Sequence, residues 1–325
     1  MQTETGHAPG SARHAGAATD RTPLADPRSA SKGVASGLAA YLWWGFAPIY
    51  FKAVASVPAL EVLAHRVFWA LLLLLVLVRW TGRAAVARDA LRSGRTRVTL
   101  LATTALIAVN WFTFIWAVAH GRLSEASLGY FINPLVNVLL GFIFLGERLR
   151  PWQKVSVALA VVGVGYRTLA VGSIPVVTVV LALSFGFYGL LRKTVRADAI
   201  VGLSVEAGLL APLCLAYLIV RHATGLGHFG SCWQMNALLP LAGLITAVPL
   251  LLFTSAARRL PFTTIGFLQY LAPSLQFLLA VVAYGEPFTV VHLISFGLIW
   301  GALAIYSIDL VAAAQRRRAA RPASA

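Results

Sequence analysis

Long apolar stretches alternate with short polar or basic segments along most of the chain. Each stretch is close to the length of about 20 residues that a helix needs to cross a bilayer. Backbone groups in lipid must be hydrogen-bonded within the segment, which favours α-helices. The pattern therefore predicts an all-α polytopic membrane protein with ten transmembrane helices, near residues 34–52, 60–80, 98–119, 125–145, 152–170, 174–191, 201–220, 237–256, 264–284 and 290–310.

Two of these stretches end in the same way. Residues 129–148 read GYFINPLVNVLLGFIFLGER, and residues 268–287 read LQYLAPSLQFLLAVVAYGEP. At an offset of 139 residues, a proline and a Gly-Glu pair align. The copies fall in the fourth and ninth predicted helices, five helices apart, so they point in opposite directions through the membrane. This predicts two inverted five-helix repeats, an arrangement common in secondary transporters. The alternative is a chance likeness between two lipid-compatible helices.

Composition and charge fit a membrane location. The chain is 59% hydrophobic and 12% charged, whereas about a quarter of the residues in a soluble domain are charged. The formal net charge of +16 is spread over alternate loops, which is the positive-inside pattern and predicts that both termini are cytoplasmic. The same spread argues against nucleic-acid binding. We divide the chain into a disordered cytoplasmic tail 1–32, a first repeat 33–171, a second repeat 172–310 and a basic cytoplasmic tail 311–325.

Several function classes lack support in the sequence. It contains no Walker A motif and neither HExxH nor GxSxG, and its two cysteines have no metal-binding spacing. We therefore expect no ATP drive, no enzyme activity, no cofactor and no metal site. The expected partners are a small-molecule substrate and the lipid bilayer. The GxxxG pattern at Gly297 and Gly301 suits packing within the bundle or a homodimer.

Ionisable groups inside the apolar stretches are candidates for function, because each costs a few kcal/mol in lipid. Glu61, His65 and Arg66 open the second predicted helix within a turn and a half, and they predict a substrate or proton site. The alternative is an interfacial cluster, in which Glu61 complements the helix dipole and Arg66 extends toward the lipid surface.

Glu206 lies in the seventh predicted helix, close to the place that corresponds to Arg66 in the other repeat. A carboxylate within lipid can exchange a proton near neutral pH. We therefore predict Glu206, together with Glu61, as the proton-coupling groups. The alternative for Glu206 is a structural contact with a polar neighbour. The predicted substrate pathway consists of His65, Arg66, Asn110, Tyr130, Asn133, Gln269 and Tyr270.

Other polar residues in the repeated stretches favour structural roles. Amides within lipid form hydrogen bonds between helices, which is the interpretation we favour for Asn137 and Gln276. Glu147 and Glu286 each follow a glycine, and a glycine commonly ends a helix. We expect these two carboxylates to cap or pair at helix ends.

Four stretches resemble one transporter family: 61-EVLAHR-66, 115-IWAVAHGRLSEASLGYFINPLVNVLLGFIFLGERLRP-151, 181-LALSFGFYGLLRK-193 and 258-RRLPFTTIGFLQYLAPSLQFLLAVVAYGEP-287. They are similar to the RarD permeases of the EamA branch of the drug/metabolite transporter superfamily. The resemblance covers roughly residues 33–305. It implies ten transmembrane helices in two five-helix halves and an inner-membrane location. RarD proteins are commonly labelled chloramphenicol-resistance permeases.

The expected function is secondary transport of small organic solutes, drugs or metabolites across the cytoplasmic membrane by alternating access, in the export direction and coupled to protons. Two alternatives stay open. An uncoupled facilitator would continue to transport after a protonophore is added. A non-transporting membrane sensor or assembly protein would use its tails as working parts, and it would lose its function when residues 1–32 are deleted.

Overall fold

The structure is a computed structural model of the chain. It describes residues 27–92, 94–146, 148–192, 199–257, 259–260, 264–265 and 268–319, and the regular structure in these ranges is helical. The helices are α1 (Pro27–Ala53), α2 (Ala59–Trp80), α3 (Ala84–Arg92), α4 (Gly94–Ala119), α5 (Leu123–Leu145), α6 (Pro151–Val171), α7 (Val176–Arg192), α8 (Ala199–Ala223), α9 (Trp233–Ala257), α10 (Leu271–Leu278), which continues as a π-helical turn at Leu279–Ala283, and α11 (Val290–Ala319).

Seven of the helices are long and apolar enough to cross a membrane. They cover Ala59–Trp80, Thr96–Ala119, Leu123–Leu145, Pro151–Val171, Ile200–Ala223, Trp233–Ala257 and Val290–Ala313. Val176–Arg192 and Leu271–Ala283 are shorter apolar helices. The chain is therefore an all-α polytopic membrane protein, as the apolar pattern predicts. The pattern missed α3, because its nine residues include charged positions and form no long apolar run.

Two helices extend past the predicted boundaries of the membrane region. Helix α1 begins at Pro27, inside the predicted tail 1–32, and α11 continues to Ala319, inside the predicted tail 311–325. The extension of α11 consists largely of alanine, glutamine and arginine, which are strong helix formers although they end the apolar run. The remainder of both predicted tails, and Glu147, lie outside the described residues.

The helices pack in a pattern that is repeated between the two halves of the chain. Helix α1 packs on α9 and α10, and α7 packs on α4 and α5. Helix α2 packs on α9, and α8 packs on α4. Without α3, ten helices remain, and each helix of the first half can be matched to the helix five places later. Under this matching, each of these contacts of α1 or α2 corresponds to a contact of α7 or α8. Three further packed pairs, α2 with α8, α5 with α10 and α6 with α11, each join a helix to the helix five places later.

Each of these three pairs is antiparallel. Glu61 near the start of α2 contacts Arg221 near the end of α8 at 3.1 Å. Arg150, which directly precedes α6, contacts Asp309, two thirds of the way along α11, at 2.7 Å. Glu286, which follows the π-helical turn after α10, accepts hydrogen bonds from backbone N–H groups at the start of α5. In every pair, the start of one helix therefore lies beside the later part of the other helix or the turn that follows it.

Apolar side chains face both inward and outward. The largest buried cluster joins residues of α1, α2, α4, α5, α7, α8 and α9. Large apolar side chains also cover the outside of the bundle, among them Leu75, Phe144, Val161, Leu213 and Ile308. Soluble monomers rarely expose apolar surface on this scale, whereas a bilayer solvates it. Besides its apolar clusters, the interior of the bundle contains buried polar and charged side chains.

Candidate functional site

Arg66 lies inside the bundle, about 10 Å along α2 from its first residue at a rise of about 1.5 Å per residue. Its Nε donates a hydrogen bond to Oγ1 of Thr246 on α9 at 2.9 Å. Its guanidinium carbon lies 4.2 Å from the centre of the Trp111 ring on α4 and 5.6 Å from that of Phe51 on α1. An aromatic face stabilises a desolvated guanidinium through cation–π attraction. Four helices therefore hold this cation.

Tyr130 and Asn110 extend the site toward α5 and α7. The Tyr130 hydroxyl donates to Asn110 Oδ1 at 3.1 Å, and Asn110 directly precedes Trp111, whose ring lies against the Arg66 guanidinium. Asn110 Nδ2 donates to the backbone oxygen of Leu181 at 3.1 Å and to Ser184 Oγ at 3.0 Å. Asn110 thus fixes the position of the Tyr130 hydroxyl while it joins α4 to α7. We call Arg66, Trp111, Tyr130, Asn110 and Thr246 the Arg66 site.

Glu61 is buried at the start of α2, where the end of α8 and the following loop bind it. Its Oε2 lies 3.1 Å from Arg221 Nη2 and 3.0 Å from His228 Nδ1. Its Oε1 accepts a hydrogen bond from the backbone N–H of His228 at 2.6 Å. These contacts hold the loop between α8 and α9 against α2. We call Glu61, Arg221 and His228 the Glu61 clasp.

His65 lies one helical turn beyond Glu61 and beneath the same loop. Its ring is 5.5 Å from that of Phe229 in the loop, and the Trp69 ring is 6.3 Å from Phe229. Within the described part of the chain, neither His65 ring nitrogen nor the Trp69 indole N–H has a hydrogen-bond partner. Consecutive residues on a helix point about 100° apart, so His65 faces the loop whereas Arg66 faces α4 and α9.

Glu206 is buried in α8, again about 10 Å from the first residue of its helix. Its Oε1 accepts a hydrogen bond from Thr103 Oγ1 on α4 at 2.7 Å, and its Oε2 accepts one from the Tyr188 hydroxyl on α7 at 3.1 Å. Arg192 Nη1, at the end of α7, lies 3.9 Å from Oε1. The carboxylate therefore ties α8 to both α4 and α7. We call Glu206, Thr103, Tyr188 and Arg192 the Glu206 clasp.

The other predicted pathway residues lie elsewhere in the bundle. Tyr270 packs in a second apolar cluster with residues of α5, α6 and α11, whereas Tyr130 packs against the largest cluster. Gln269 directly precedes Tyr270, and both side chains are half-buried. Asn133 is buried, and its Oδ1 has no partner among the described residues. In those residues, no hydrogen bond or ring contact joins these side chains to Arg66, so their roles stay predictions.

Two structural roles follow the sequence predictions. Gln276 Nε2 donates to the backbone oxygen of Trp44 on α1 at 3.1 Å, which is the predicted bond between helices. Gly146 and Gly285 adopt left-handed backbone angles, with φ of 65° and 64°, and each follows the end of a helical segment. Glu286 caps the start of α5, as a carboxylate after a terminating glycine was predicted to do.

Comparison with known proteins gives the family. The model of the EamA-like transporter family matches residues 31–166. An uncharacterized transporter of Vibrio cholerae serotype O1 is 48% identical over 297 residues, which are 91% of this chain and 98% of the relative. Protein RarD of Escherichia coli is 43% identical over 287 residues, 88% of this chain and 97% of the relative. The Chloramphenicol-sensitive protein RarD of Pseudomonas aeruginosa is 34% identical over 288 residues, with 87% and 95% covered.

The chain belongs to the EamA-like transporter family and is of the RarD type. The resemblance seen in the sequence is therefore confirmed, and with the apolar helices it makes the chain a multi-pass membrane transporter. Of the predicted pathway residues of this RarD-type protein, the structure brings Arg66, Asn110 and Tyr130 together. It places Glu61 and Glu206 in separate clasps.

Sequence reasoning missed the partners that complete these sites. Arg221 and His228 bind Glu61 from more than 150 positions away, and nothing in their local sequence marks that contact. A further ion pair, between Glu125 and the buried Arg167 at 3.1 Å, was also missed. Here a signal existed, because an arginine inside an apolar stretch calls for an acidic partner. Within the described residues, no cluster of His, Cys, Asp and Glu could hold a metal ion.

Proposed function

We propose that this RarD-type protein is a secondary transporter that exports a small organic solute across the cytoplasmic membrane by alternating access, driven by proton entry. The observation that carries the proposal is the Arg66 site, a buried cation held between helices of both halves of the chain, with a polar clasp on either side of it. The family relationship supports transport in general. The name of one relative, the Chloramphenicol-sensitive protein RarD, refers to a small organic drug.

The proposed architecture has ten spanning helices in two inverted five-helix repeats, with both termini in the cytoplasm. Helices α1, α2, α4, α5 and α6 form the first repeat, and α7 to α11 form the second. The exchanged packing of α1, α2, α7 and α8 supports the correspondence, and the three antiparallel pairs support the inversion. Two copies of one module in opposite orientations can open to either face at similar energy, which is the basis of alternating access.

The two clasps fit the two gates that such a cycle needs. Arg66 and Glu206 each lie about 10 Å from the start of corresponding helices, so inversion puts them on opposite sides of the membrane midplane. The Glu61 clasp then closes the outer side and the Glu206 clasp closes the cytoplasmic side. Both clasps are formed here, and Arg66 is only 8% exposed. Release of one clasp at a time would open the Arg66 site to one compartment.

Proton coupling follows from the chemistry of the clasps. Protonation of Glu206 removes its charge, which weakens its attraction to Arg192 and the hydrogen bonds that it accepts from Thr103 and Tyr188. Helices α4, α7 and α8 are then free to separate on the cytoplasmic side. Protonation of Glu61 would weaken its contacts with Arg221 and His228 in the same way. Each gate thus contains one carboxylate that a proton can switch.

Counterflow in proteoliposomes tests this proposal, with a solute chosen by a drug and metabolite screen of a deletion strain against an overexpressing strain. We expect the unaltered protein to accelerate its transport when a proton gradient is imposed. Glu206→Gln should retain counterflow but lose the dependence on pH, because glutamine preserves the shape of the side chain and cannot be charged.

Asp309→Asn is the matched control. Asp309 is an acidic residue of α11 that pairs with Arg150, and it belongs to neither clasp. It should keep the pH dependence of the unaltered protein. An unchanged pH dependence in Glu206→Gln removes Glu206 from coupling. A transport rate that is unchanged by a protonophore favours the uncoupled facilitator. An absence of counterflow in every preparation rejects transport itself.

A further inference from the structure

We infer that the solute bound at the Arg66 site is a water-soluble monocarboxylate with an aromatic or apolar body, and that Arg66 binds its carboxylate. This inference rests on the proposed transport function and names the substrate class of the same site. It follows from three features of the site: a buried cation without a counter-charge, an open edge on that cation, and walls that are largely aromatic.

Arg66 differs from three buried carboxylates of the bundle, Glu61, Glu206 and Glu125, which have counter-charges of their own. Glu61 has Arg221 and His228, Glu206 has Arg192, and Glu125 has Arg167. In the described ranges, no carboxylate lies within ion-pair distance of Arg66, whose one hydrogen bond there is the Nε contact with Thr246. A buried charge without a counter-ion is strongly unfavourable, and charges inside membrane domains generally mark the path of a substrate or ion.

The contacts of Arg66 leave its terminal nitrogens available. Trp111 covers one face of the guanidinium, and Thr246 occupies Nε. Neither Nη1 nor Nη2 has a partner among the described residues, and neither is among the fully enclosed polar atoms without partners. Those two nitrogens form the edge that binds a carboxylate through two parallel hydrogen bonds. A lysine would offer no such planar edge.

The side chains around Arg66 determine which chemical groups can be attached to the carboxylate of the ligand. Tyr50, Phe51, Phe114, Trp111 and Tyr130 belong to or pack against one apolar cluster, and Phe51 and Phe114 meet edge to face at 5.7 Å. These rings suit an aromatic or apolar body. They supply no second cation, so a second negative charge on the ligand would be buried without a partner. The combination therefore favours a single carboxylate over a phosphate or a dicarboxylate.

Ligand-induced stabilisation of the purified full-length protein tests the inference. The probes are benzoate, 3-phenylpropanoate and octanoate, each compared with its neutral carboxamide, and palmitate as a membrane-resident carboxylate. We expect at least one of the water-soluble carboxylates to raise the unfolding temperature, with an apparent affinity about tenfold or more above that of its amide, because a charge-assisted pair is lost in the amide. This comparison needs no variant, so it does not depend on whether a substitution folds.

Variants assign the preference to Arg66. Arg66→Gln should bind carboxylate and amide equally, and Arg66→Lys should retain a reduced preference. Arg122→Gln is the matched control, because Arg122 is a largely exposed arginine that pairs with Glu125, and it should keep the full preference. The inference is overturned if no probe shows a carboxylate preference, if only palmitate does, or if Arg66→Gln keeps the preference.

The counterflow assay separates this inference from the proposed function. Carboxylate preference without counterflow of any solute would reject transport and leave the anion site in place. Counterflow of a neutral solute, together with equal binding of every carboxylate and amide pair, would reject the anion site and leave transport in place.

Discussion

Glu286 illustrates how one side chain can join the two halves of the chain. It follows Gly285, where the backbone turns through a left-handed conformation with φ of 64°, and its two carboxylate oxygens accept hydrogen bonds from the N–H groups of Leu123 and Ser124 at 2.6 and 2.8 Å. The first N–H groups of a helix have no partner within that helix, and they favour a negative charge. The carboxylate satisfies two of them inside the protein, where water cannot.

Glu286→Gln should therefore destabilise the protein by about 1–2 kcal/mol. The amide oxygen can accept one of the two hydrogen bonds, whereas its NH₂ group faces the other N–H, and the charge is lost. Thermal or denaturant unfolding in detergent measures the change. The control is Arg122→Gln at the cap position of the same helix, where the arginine side chain is 45% exposed, and its effect should stay within about 0.5 kcal/mol. Equal effects of the two variants would contradict the capping role.

The sequence predicts the residue-scale features that are local and misses those that require a partner. A carboxylate after a terminating glycine marks a helix end, and charged residues inside apolar stretches mark Glu61, Arg66 and Glu206. The sequence does not show that Glu286 reaches α5 or that Glu61 reaches the loop before α9. Those contacts depend on which helices are neighbours, and helix packing is not encoded in any single stretch.

Helix packing depends on glycines where two backbones approach. A Cβ atom added to Gly243 on α9 would lie 2.7 Å from the backbone carbon of Trp69 on α2, which is closer than atoms tolerate. By contrast, a Cβ atom added to Gly297 on α11 meets no atom of the described residues within 4 Å. Gly297 thus leaves room for a side chain, whereas Gly243 does not.

Gly243→Val should destabilise the bundle by about 1–3 kcal/mol through overpacking, and it should reduce counterflow because α2 carries Arg66. Gly297→Val introduces the same side chain where space is free, so its effect on unfolding should be much smaller. Unfolding in detergent and counterflow, measured side by side, compare the two variants. Similar losses in both would show that helix propensity, rather than the approach of α2 to α9, decides the outcome.

At the scale of elements, apolar length indicates where the long helices lie, but it indicates neither their ends nor the short helix α3. Helix α11 runs to Ala319 because helix-forming residues continue after the apolar run stops. The short helix α3 was missed, because its nine residues include charged positions and form no long apolar run. The ninth predicted stretch holds a π-helical turn at Leu279–Ala283, and no residue pattern in the sequence predicts it.

For the whole molecule, most of the mechanism proposed from the sequence depends on the offset of 139 residues between the two repeated stretches. It relates Arg66 on α2 to the neighbourhood of Glu206 on α8. Each of these charged groups contacts a threonine on a corresponding helix, Thr246 on α9 and Thr103 on α4. The proposed repeat would thus supply opposite charges at related places, and we propose an anion site at Arg66 and a cytoplasmic gate at Glu206. The direction of each half in the membrane is the assumption on which this assignment rests.

Cysteine labelling at two positions related by the repeat examines that assumption. Arg148→Cys and Pro287→Cys, each made in a Cys214→Ser, Cys232→Ser background, place one thiol two residues after Gly146 and one two residues after Gly285. A membrane-impermeant maleimide is added to right-side-out vesicles before and after permeabilisation. Inverted halves predict that position 287 is labelled in sealed vesicles and that position 148 is labelled only once they are opened. Labelling of both positions from the same side would contradict the inverted architecture and, with it, the alternating opening of the Arg66 site.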